Sequence, residues 1–316
     1  MEIKHNKWKS NGTTIAGGNG CGRNSNQLNY PRGFYVDSDK SLYIVDWGNH
    51  RIVHWKHEAK SCQVVAGGNG RGNRNNQLNY PRDVLLDKGN HSLIISDRKN
   101  QRIVRWFHHS KTDQEILISD IDCWGITMDR KGYIYAAICE NNEVKYWKDK
   151  DKDGKLVAGG NKEGDALNQL HGPTCVFVDE NYTLYVADYN NHRVMKWVRD
   201  AEEGIVVAGG NGKGKSLKQL SCPEGVTVDQ LGRVYVVDCA NHRVMRWTEG
   251  KDEGEIVVGG NGQGNGSNQL NFPTDLAFDD AGNLYVVDCD NHRIQKKSIF
   301  NYRTVKTVIG TTCVFF

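Results

Sequence analysis

The stretch LYVADYNNHRVMKW, which runs from Leu184 to Trp197, decides the fold because close relatives of it recur along the chain. In each copy, two short runs of branched aliphatic and aromatic residues flank a polar turn, a pattern typical of two antiparallel β-strands. The copies follow at intervals of about 50 residues, with one interval about ten residues shorter, which indicates a repeat architecture. The anchor residues at the fifth position of the six copies are Asp46, Asp97, Ile138, Asp188, Asp238 and Asp288.

A second block lies between these copies, and its fullest example is VAGGNGRGNRNNQLNYPR from Val65 to Arg82. Its glycines and asparagines resemble a loop that cradles a phosphate with backbone N–H groups. A phosphate loop occurs once in a site, whereas this block occurs five times, so we interpret it as a set of structural turns that need positive φ angles. The five copies begin at Ala16, Ala66, Ala158, Ala208 and Val258, and each is followed by a proline: Pro31, Pro81, Pro173, Pro223 or Pro273.

Each repeat contains four short β-like runs, and no run shows helical periodicity over several turns. Six such units predict an all-β fold, a six-bladed β-propeller whose four-stranded antiparallel blades surround a central channel, with residues 1–316 forming a single domain. An open β-solenoid is the less favoured alternative, because its repeats are usually shorter and it needs capping units. In the second copy the runs are Asp83–Asp87, Leu93–Ser96, Arg102–Trp106 and Glu115–Ser119.

Both ends of the chain offer a strand for closing the ring. Residues 1–18 look like the end of a repeat, and we expect Thr13–Ala16 to complete or border the last blade, since pairing strands from both termini removes open edges. The C-terminal stretch YRTVKTVIGTTCVFF is the other candidate outer strand, and continuation into a longer repeat array is the alternative to closure. Lys297, where the other five copies have tryptophan, marks the last blade as different.

The blocks NQLNYPRDVLLD and LYVADYNNHRVMKW resemble the NHL repeat family. The resemblance covers nearly the whole chain, five of the six copies match well, and it implies a six-bladed propeller with a central channel. Members of that family include protein-binding and RNA-binding modules, extracellular sensor domains and a few metal-dependent lyases on the same fold, so the fold alone does not fix the function. The most recognisable part, NHR, stands at Asn49–Arg51, Asn191–Arg193, Asn241–Arg243 and Asn291–Arg293.

Composition excludes several other classes of protein. Charged residues make up 25% of the 316-residue chain and the net charge is +3, values that favour neither disorder nor a strongly basic nucleic-acid binder. We find no membrane segment and no signal peptide, so the default expectation is an intracellular protein, with a trimmed extracellular domain as the alternative. The nine cysteines show no CxxC spacing and are interpreted as reduced thiols, and we expect a monomer without a cofactor.

The residues that follow the prolines differ between copies, and we expect functional residues among them. They lie near the channel mouth, on the face that also carries the glycine-rich loops and the NHR turns, because successive strands alternate in direction. Two guanidiniums on neighbouring blades beside an indole form an anchor for a carboxylate, a phosphate or an aromatic side chain of a peptide, and solvated rim residues are the alternative. The predicted partner-binding residues are Arg32, Arg82, Asp83, Trp124, Glu224 and Asp275.

The third copy departs most from the others. It lacks the glycine-rich loop, and it has Ile138 in place of the anchor aspartate and Glu143 in place of the arginine. The simultaneous loss of both partners is consistent with the loss of a salt bridge. We expect the missing loop to leave a notch floored by Trp124 and flanked by Arg82, or Trp124 to fill the vacated space.

These observations favour a non-catalytic interaction module that presents one propeller face and the channel mouth to a protein or peptide partner. An RNA-binding propeller that uses the arginines and lysines of the loop face is one alternative. A metal-dependent lyase or lactonase is another, but it needs convergent ligands, and only His171 is a candidate near the mouth. A thiol pair or soft-metal site at Cys123 and Cys175 is also open. We assign no catalytic residue and no metal ligand.

Overall fold

The computed structural model describes residues 8–107, 114–148 and 151–299. These residues form six four-stranded antiparallel sheets, and the sheets are the blades of a six-bladed β-propeller. The predicted fold class is therefore confirmed. Within these ranges no helix is long and apolar enough to cross a membrane.

The strands of each blade follow one another from the channel outward, and a loop then leads to the inner strand of the next blade. Every strand has five or six residues, which matches the short runs in the sequence. Blade one contains β2 (Pro31–Val36), β3 (Leu42–Asp46), β4 (Arg51–Trp55) and β5 (Gln63–Gly67); blade two contains β6 (Asp83–Asp87), β7 (Ser92–Asp97), β8 (Arg102–Phe107) and β9 (Gln114–Ser119); blade three contains β10 (Cys123–Met128), β11 (Ile134–Ile138), β12 (Glu143–Trp147) and β13 (Lys155–Gly159).

The second half of the ring repeats the same arrangement, and its last blade takes its outer strand from the N-terminal part of the chain. That strand, β1 (Thr13–Gly17), pairs antiparallel with the third strand of blade six. The C-terminal candidate strand lies outside the described residues. Blade four contains β14 (Pro173–Val178), β15 (Leu184–Asp188), β16 (Arg193–Trp197) and β17 (Ile205–Gly209); blade five contains β18 (Pro223–Val228), β19 (Val234–Asp238), β20 (Arg243–Trp247) and β21 (Glu255–Gly259); blade six contains β22 (Pro273–Phe278), β23 (Leu284–Asp288) and β24 (Arg293–Lys297).

The ring closure explains the missing tryptophan of the last blade. Lys297 is only 2% exposed, and its Nζ donates a hydrogen bond to the carbonyl oxygen of Ser10. Burial lowers the pKa of Lys297 to about 8. Trp8 packs beside this segment, with its ring 6.2 Å from that of Phe278. In blade one, Trp55 at the equivalent position donates from Nε1 to the carbonyl oxygen of Ala59 at 2.8 Å, so in blade six the lysine makes the hydrogen bond to the segment that leads to the outer strand.

The hydrophobic core lies between the blades, not inside single sheets. One cluster, for example, joins Ile52 and Val45 of blade one to Val84, Ile95 and Trp106 of blade two. Each sheet therefore buries both of its faces against neighbours, which accounts for the nearly continuous apolar runs of the second strands. The packing fixes the inner strands around the channel and gives the mouth a rigid frame.

Candidate functional site

In five of the six repeats, an aspartate, an asparagine and an arginine of the turn after the second strand hold the glycine-rich loop that precedes the blade. In blade four, one carboxylate oxygen of Asp188 accepts a hydrogen bond from the backbone N–H of His171 at 2.7 Å. Its other oxygen accepts bonds from Asn191 Nδ2 at 2.8 Å and Arg193 Nε at 2.7 Å. Asn191 and Arg193 in turn donate to carbonyl oxygens of the loop, at Gly164, Asp165, Ala166 and Gln169. We call this set of bonds, made by the anchor aspartate, the asparagine and the arginine, the lock. The lock is also present in blades one, two, five and six.

The histidines of the motif clamp neighbouring blades together. In His192, the Nδ1 atom accepts a hydrogen bond from the backbone N–H of Cys222, in the loop that leads to the next blade, at 3.2 Å. Only a neutral imidazole accepts such a bond at Nδ1, and burial lowers the pKa of all four histidines. Asn142 replaces the histidine in blade three, where its Oδ1 accepts a hydrogen bond from the backbone N–H of Gly172 at 2.7 Å. The other clamps are His50–Tyr80, His242–Phe272 and His292–Tyr30.

The junction between blades two and three has neither the lock nor a histidine or asparagine clamp. Three residues, 120–122, connect β9 to β10, and no loop remains to be held. Ile138 is buried, and Glu143 contacts Lys145 and Asn141 at 2.8 and 3.1 Å. The aspartate and the arginine that hold the loop in the other blades are thus both replaced where the loop is absent, and Asn141 bonds to Glu143 instead.

The channel mouth carries an ion pair that crosses it. Arg82 of blade two donates to the carboxylate of Glu224, which belongs to blade five on the opposite side of the ring. Arg32 lies 3.8 Å from the other oxygen of the same carboxylate. Arg82 and Glu224 are 9% and 7% exposed, so they are not ordinary solvated rim residues. Two guanidiniums thus share one carboxylate in a nearly dehydrated setting.

Trp124 adjoins this ion pair and forms the centre of a second cluster. The guanidiniums of Arg82 and Arg98 lie 4.4 and 4.2 Å from its ring centroid, a cation–π distance. Arg98 also donates to both carboxylate oxygens of Asp122, at 2.7 and 3.2 Å. The indole is half-buried and lies against these two arginines.

The next residue along each inner strand also surrounds the channel. One carboxylate oxygen of Asp83 accepts from the backbone N–H of Ile126 at 2.9 Å, and one oxygen of Asp275 accepts from that of Phe34 at 3.2 Å. Each carboxylate therefore ties its inner strand to the next blade. A Cβ on Gly33 would lie 2.3 Å from Oδ1 of Asp83, so glycine is required there. Glycine and larger side chains alternate around the ring: Gly33, Asp83, Gly125, Cys175, Gly225 and Asp275.

Burial sets the charge state of this inner ring. It raises the pKa of Asp83 to about 7, against the two backbone hydrogen bonds that favour the carboxylate. Burial and the nearby Asp83 raise the pKa of Asp275 well above its usual range. Burial and the two carboxyl groups also raise the pKa of the Cys175 thiol, so this cysteine is not a thiolate near neutral pH.

The structure brings all six predicted partner-binding residues to one place. Arg32, Arg82, Asp83, Trp124, Glu224 and Asp275 line the same channel opening. Sequence reasoning missed Arg98 and Asp122, although both flank the short junction that it singled out, and it missed Trp47, whose ring lies 5.5 Å from the Arg32 guanidinium.

The other candidate residues have separate partners. Nε2 of His171 lies 3.3 Å from a carboxylate oxygen of Glu163, in the loop before blade four. Cys123 is buried, and the eight cysteines within the described ranges are free thiols. In those ranges no three His, Cys, Asp or Glu side chains come together in a way suited to a metal ion.

The comparisons agree with the repeat assignment. The family model described as NHL repeat matches residues 28–55, 220–246 and 270–296, in blades one, five and six. With the six-bladed architecture, these three matches support an NHL-repeat propeller. No curated protein matches the sequence.

Several solved structures share the fold at low sequence identity. An auxiliary nutrient binding protein from Bacteroides thetaiotaomicron aligns with a TM-score of 0.71 and 15% identity, over 94% of this chain and 78% of that one. A gluconolactonase from Xanthomonas campestris gives 0.63 and 13%, over 86% and 87% of the two chains. A virginiamycin B lyase from Staphylococcus aureus gives 0.55 and 12%, over 93% and 99%. Because these identities are low, the similarities show the fold alone.

Proposed function

We propose that this NHL-repeat propeller is a non-catalytic module that binds a protein or peptide partner at its channel mouth. The main observation behind this proposal is that Arg32 and Arg82 share the single carboxylate of Glu224 beside the indole of Trp124. Aromatic and arginine side chains in a desolvated, rigid setting are the residues that dominate the energetics of protein interfaces.

Charge balance at the mouth favours a carboxylate of the partner. Arg32 and Arg82 carry two positive charges, and Glu224 compensates one of them. Burial raises the pKa of Asp83 to about 7 and that of Asp275 well above its usual range, so these two carboxyl groups compensate only part of the other charge.

Arg32 is the more open of the two arginines, with 23% of its side chain exposed. A planar guanidinium pairs well with an incoming carboxylate, and the rings of Trp47 and Trp124 offer apolar surface next to it. We therefore expect an acidic residue or a chain terminus of the partner at this position.

Asp83 and Asp275 belong to the proposed site as its supporting ring. Their carboxyl groups bond to backbone N–H groups of the adjacent blades, which keeps the inner strands at fixed heights. They thus preorganise the arginines that follow the prolines, and we expect their substitution to affect partner binding through the shape of the mouth.

The test is capture of partners from a lysate by the purified chain, followed by affinity measurement with the recovered partner. Arg32→Ala and Trp124→Ala should each weaken binding by about tenfold or more, because truncation of a hot-spot residue costs about 2 kcal/mol or more and about 1.4 kcal/mol is already tenfold. Leu231→Ala is the matched control, since Leu231 is 59% exposed in a turn between the first two strands of blade five, away from the mouth.

Salt dependence separates the proposal from its main alternative. A protein partner that persists at physiological salt and is lost in the mouth variants supports the proposal. Recovery of RNA with a steep loss of affinity as salt rises would instead indicate phosphate contacts. Normal binding by both mouth variants, or loss of binding in Leu231→Ala, would place the interaction elsewhere on the propeller.

A further inference from the structure

A groove on the outer wall of the ring lies between blades three and four, apart from the channel mouth. Its volume is about 630 Å³, within the range of about 300–1,000 Å³ that small-ligand sites occupy. The outer strand β13, the turns that follow β10 and β14, and residues 198–202 line it.

Blade three supplies two tyrosines to this groove that the other blades lack. Tyr133 and Tyr146 have ring centroids 5.4 Å apart at an interplanar angle of 75°. The positions equivalent to Tyr133 hold serine, threonine, arginine or asparagine, and those equivalent to Tyr146 hold histidine, arginine or lysine. The aromatic pair is therefore not required by the repeat.

Blade four supplies a third tyrosine in a costly backbone conformation. Tyr182 has a φ of 60°, at the turn position where three other blades have glycine. A left-handed conformation costs a residue with a Cβ about 1–2 kcal/mol. Lys40 and His91 hold the same turn position with a positive φ in blades one and two, so the conformation belongs to the turn and the tyrosine side chain is particular to blade four. Here the turn places a tyrosine ring in the wall of the groove.

The polar groups of the groove balance in charge. Lys131 and Arg199 lie 4.9 and 5.3 Å from the ring centroid of Tyr182, and Asp129 accepts bonds from backbone N–H groups of its own turn. The charged residues that line the groove are three cations and three carboxylates, so neither an anion nor a cation is preferred by net charge: Lys131, Lys155, Arg199, Asp129, Asp200 and Glu202.

We propose that this groove binds a neutral saccharide. A sugar ring has an apolar face of C–H groups, which matches a tyrosine ring, and a rim of hydroxyl groups that both donate and accept hydrogen bonds. Lysine and arginine supply donors and the carboxylates supply acceptors in the same groove. Half-exposed Leu156 and Val198 add apolar surface beside the tyrosines. This site is independent of the proposed partner site at the mouth.

The experiment is binding of the whole purified chain to an array of neutral cello-, malto-, xylo-, manno- and chito-oligosaccharides, followed by calorimetry with the best probe. Tyr182→Gly removes the ring and relieves the strained φ, so the protein should unfold at the same or a higher temperature. Its affinity for the probe should fall by about tenfold or more. Lys40→Gly is the matched control, because Lys40 has a φ of 66° at the equivalent turn of blade one, outside the groove.

Each outcome decides the proposal. Binding by the unaltered chain and by Lys40→Gly, together with its loss in Tyr182→Gly, supports a saccharide site in the groove. Failure of the unaltered chain to bind any probe on the array, or equal binding by Tyr182→Gly, would overturn it. Trp124→Ala should leave saccharide binding unchanged, so failure here and failure of the proposal for the channel mouth are distinguishable.

Discussion

Five of the six junctions between blades are built alike, whereas the junction between blades two and three is built from different residues. Each of the five carries a glycine-rich loop, and each has a histidine or asparagine clamp across the blades. The exceptional junction has neither, and its connection is only residues 120–122. In their place are Arg98, Asp122 and Trp124.

This contrast shows which parts of the repeat depend on one another. The anchor aspartate, the asparagine and the arginine hold the loop together, and the aspartate and the arginine are both replaced in blade three, where the loop is absent. Asn141 keeps the asparagine position there and donates to Glu143 instead. The histidine is a separate device, since blade three retains an asparagine clamp although it has no lock. Repeated residues thus maintain the ring, and the exceptional junction is free to carry the tryptophan of the proposed site.

The largest expected effect separates the two kinds of junction directly. Arg193→Ala removes the partner of buried Asp188 together with three bonds to loop carbonyls, so it should lower the free energy of unfolding by about 3–5 kcal/mol. Glu143→Ala is the matched variant at the same strand position of blade three and should cost less, about 1–2 kcal/mol, because Lys145 keeps 30% of its side chain exposed and stays hydrated without its partner. Denaturant unfolding of both variants measures the difference. Equal losses of unfolding free energy in the two variants would show that Arg193 stabilises its blade no more than Glu143 stabilises blade three.

A smaller effect is expected from the residues that replace the lock. Arg98→Ala leaves the carboxylate of Asp122, which is 6% exposed, without its two hydrogen bonds and should cost about 1–3 kcal/mol. The near-ultraviolet circular dichroism of the Trp124 region should change with it, because the guanidinium leaves the indole. Lys99→Ala removes a neighbouring exposed charge and should do neither. An unfolding free energy unchanged in Arg98→Ala would mean that Arg98 does not stabilise this junction.

The fold could be predicted from the sequence because the same pattern of strands and turns occurs in six copies. Alternating apolar runs, a fixed interval and turn residues all point to four strands per unit, and a residue such as Asn191 has the same partners in every lock. The mouth residues could be found as the positions where copies disagree. Both inferences need only local pattern and the direction of strands.

The contacts at the mouth could not be predicted, because they join residues that are distant in sequence and opposite in the ring. Arg82 and Glu224 are 142 residues apart, and their pairing depends on the heights and rotamers of two inner strands. The raised pKa of Asp83 likewise depends on burial by neighbouring blades. The outer groove could not be predicted because its tyrosines come from a turn of blade four and from two separate places in blade three, and only the packing of the blades brings them together.

The smallest expected effect per residue concerns the clamps and tests whether histidine and asparagine are equivalent. Each histidine must be neutral to accept the backbone N–H, and its pKa is lowered in the folded chain, so the unfolded chain binds protons more tightly. The stability from the clamps is therefore present above about pH 6.5 and is lost as the pH falls through the lowered pKa values. Nearby charges that tune these values are Arg23 and Arg71 at His50, Lys213 at His192, Lys215 at His242 and Asp290 at His292.

The measurement is the melting temperature between pH 8 and pH 5 for the unaltered chain and for the variant with all four histidines changed, His50→Asn, His192→Asn, His242→Asn and His292→Asn. An amide oxygen accepts the same bond without titrating, as Asn142 does, so the variant should lose less stability on acidification, by about 0.5–1.5 kcal/mol per clamp. Asp83 acts in the opposite direction in both proteins, since its raised pKa means stability that is lost as the pH rises through about 7. The difference between the two curves therefore isolates the clamps. A difference that stays constant across this pH range would show that protonation of the histidines does not open the junctions.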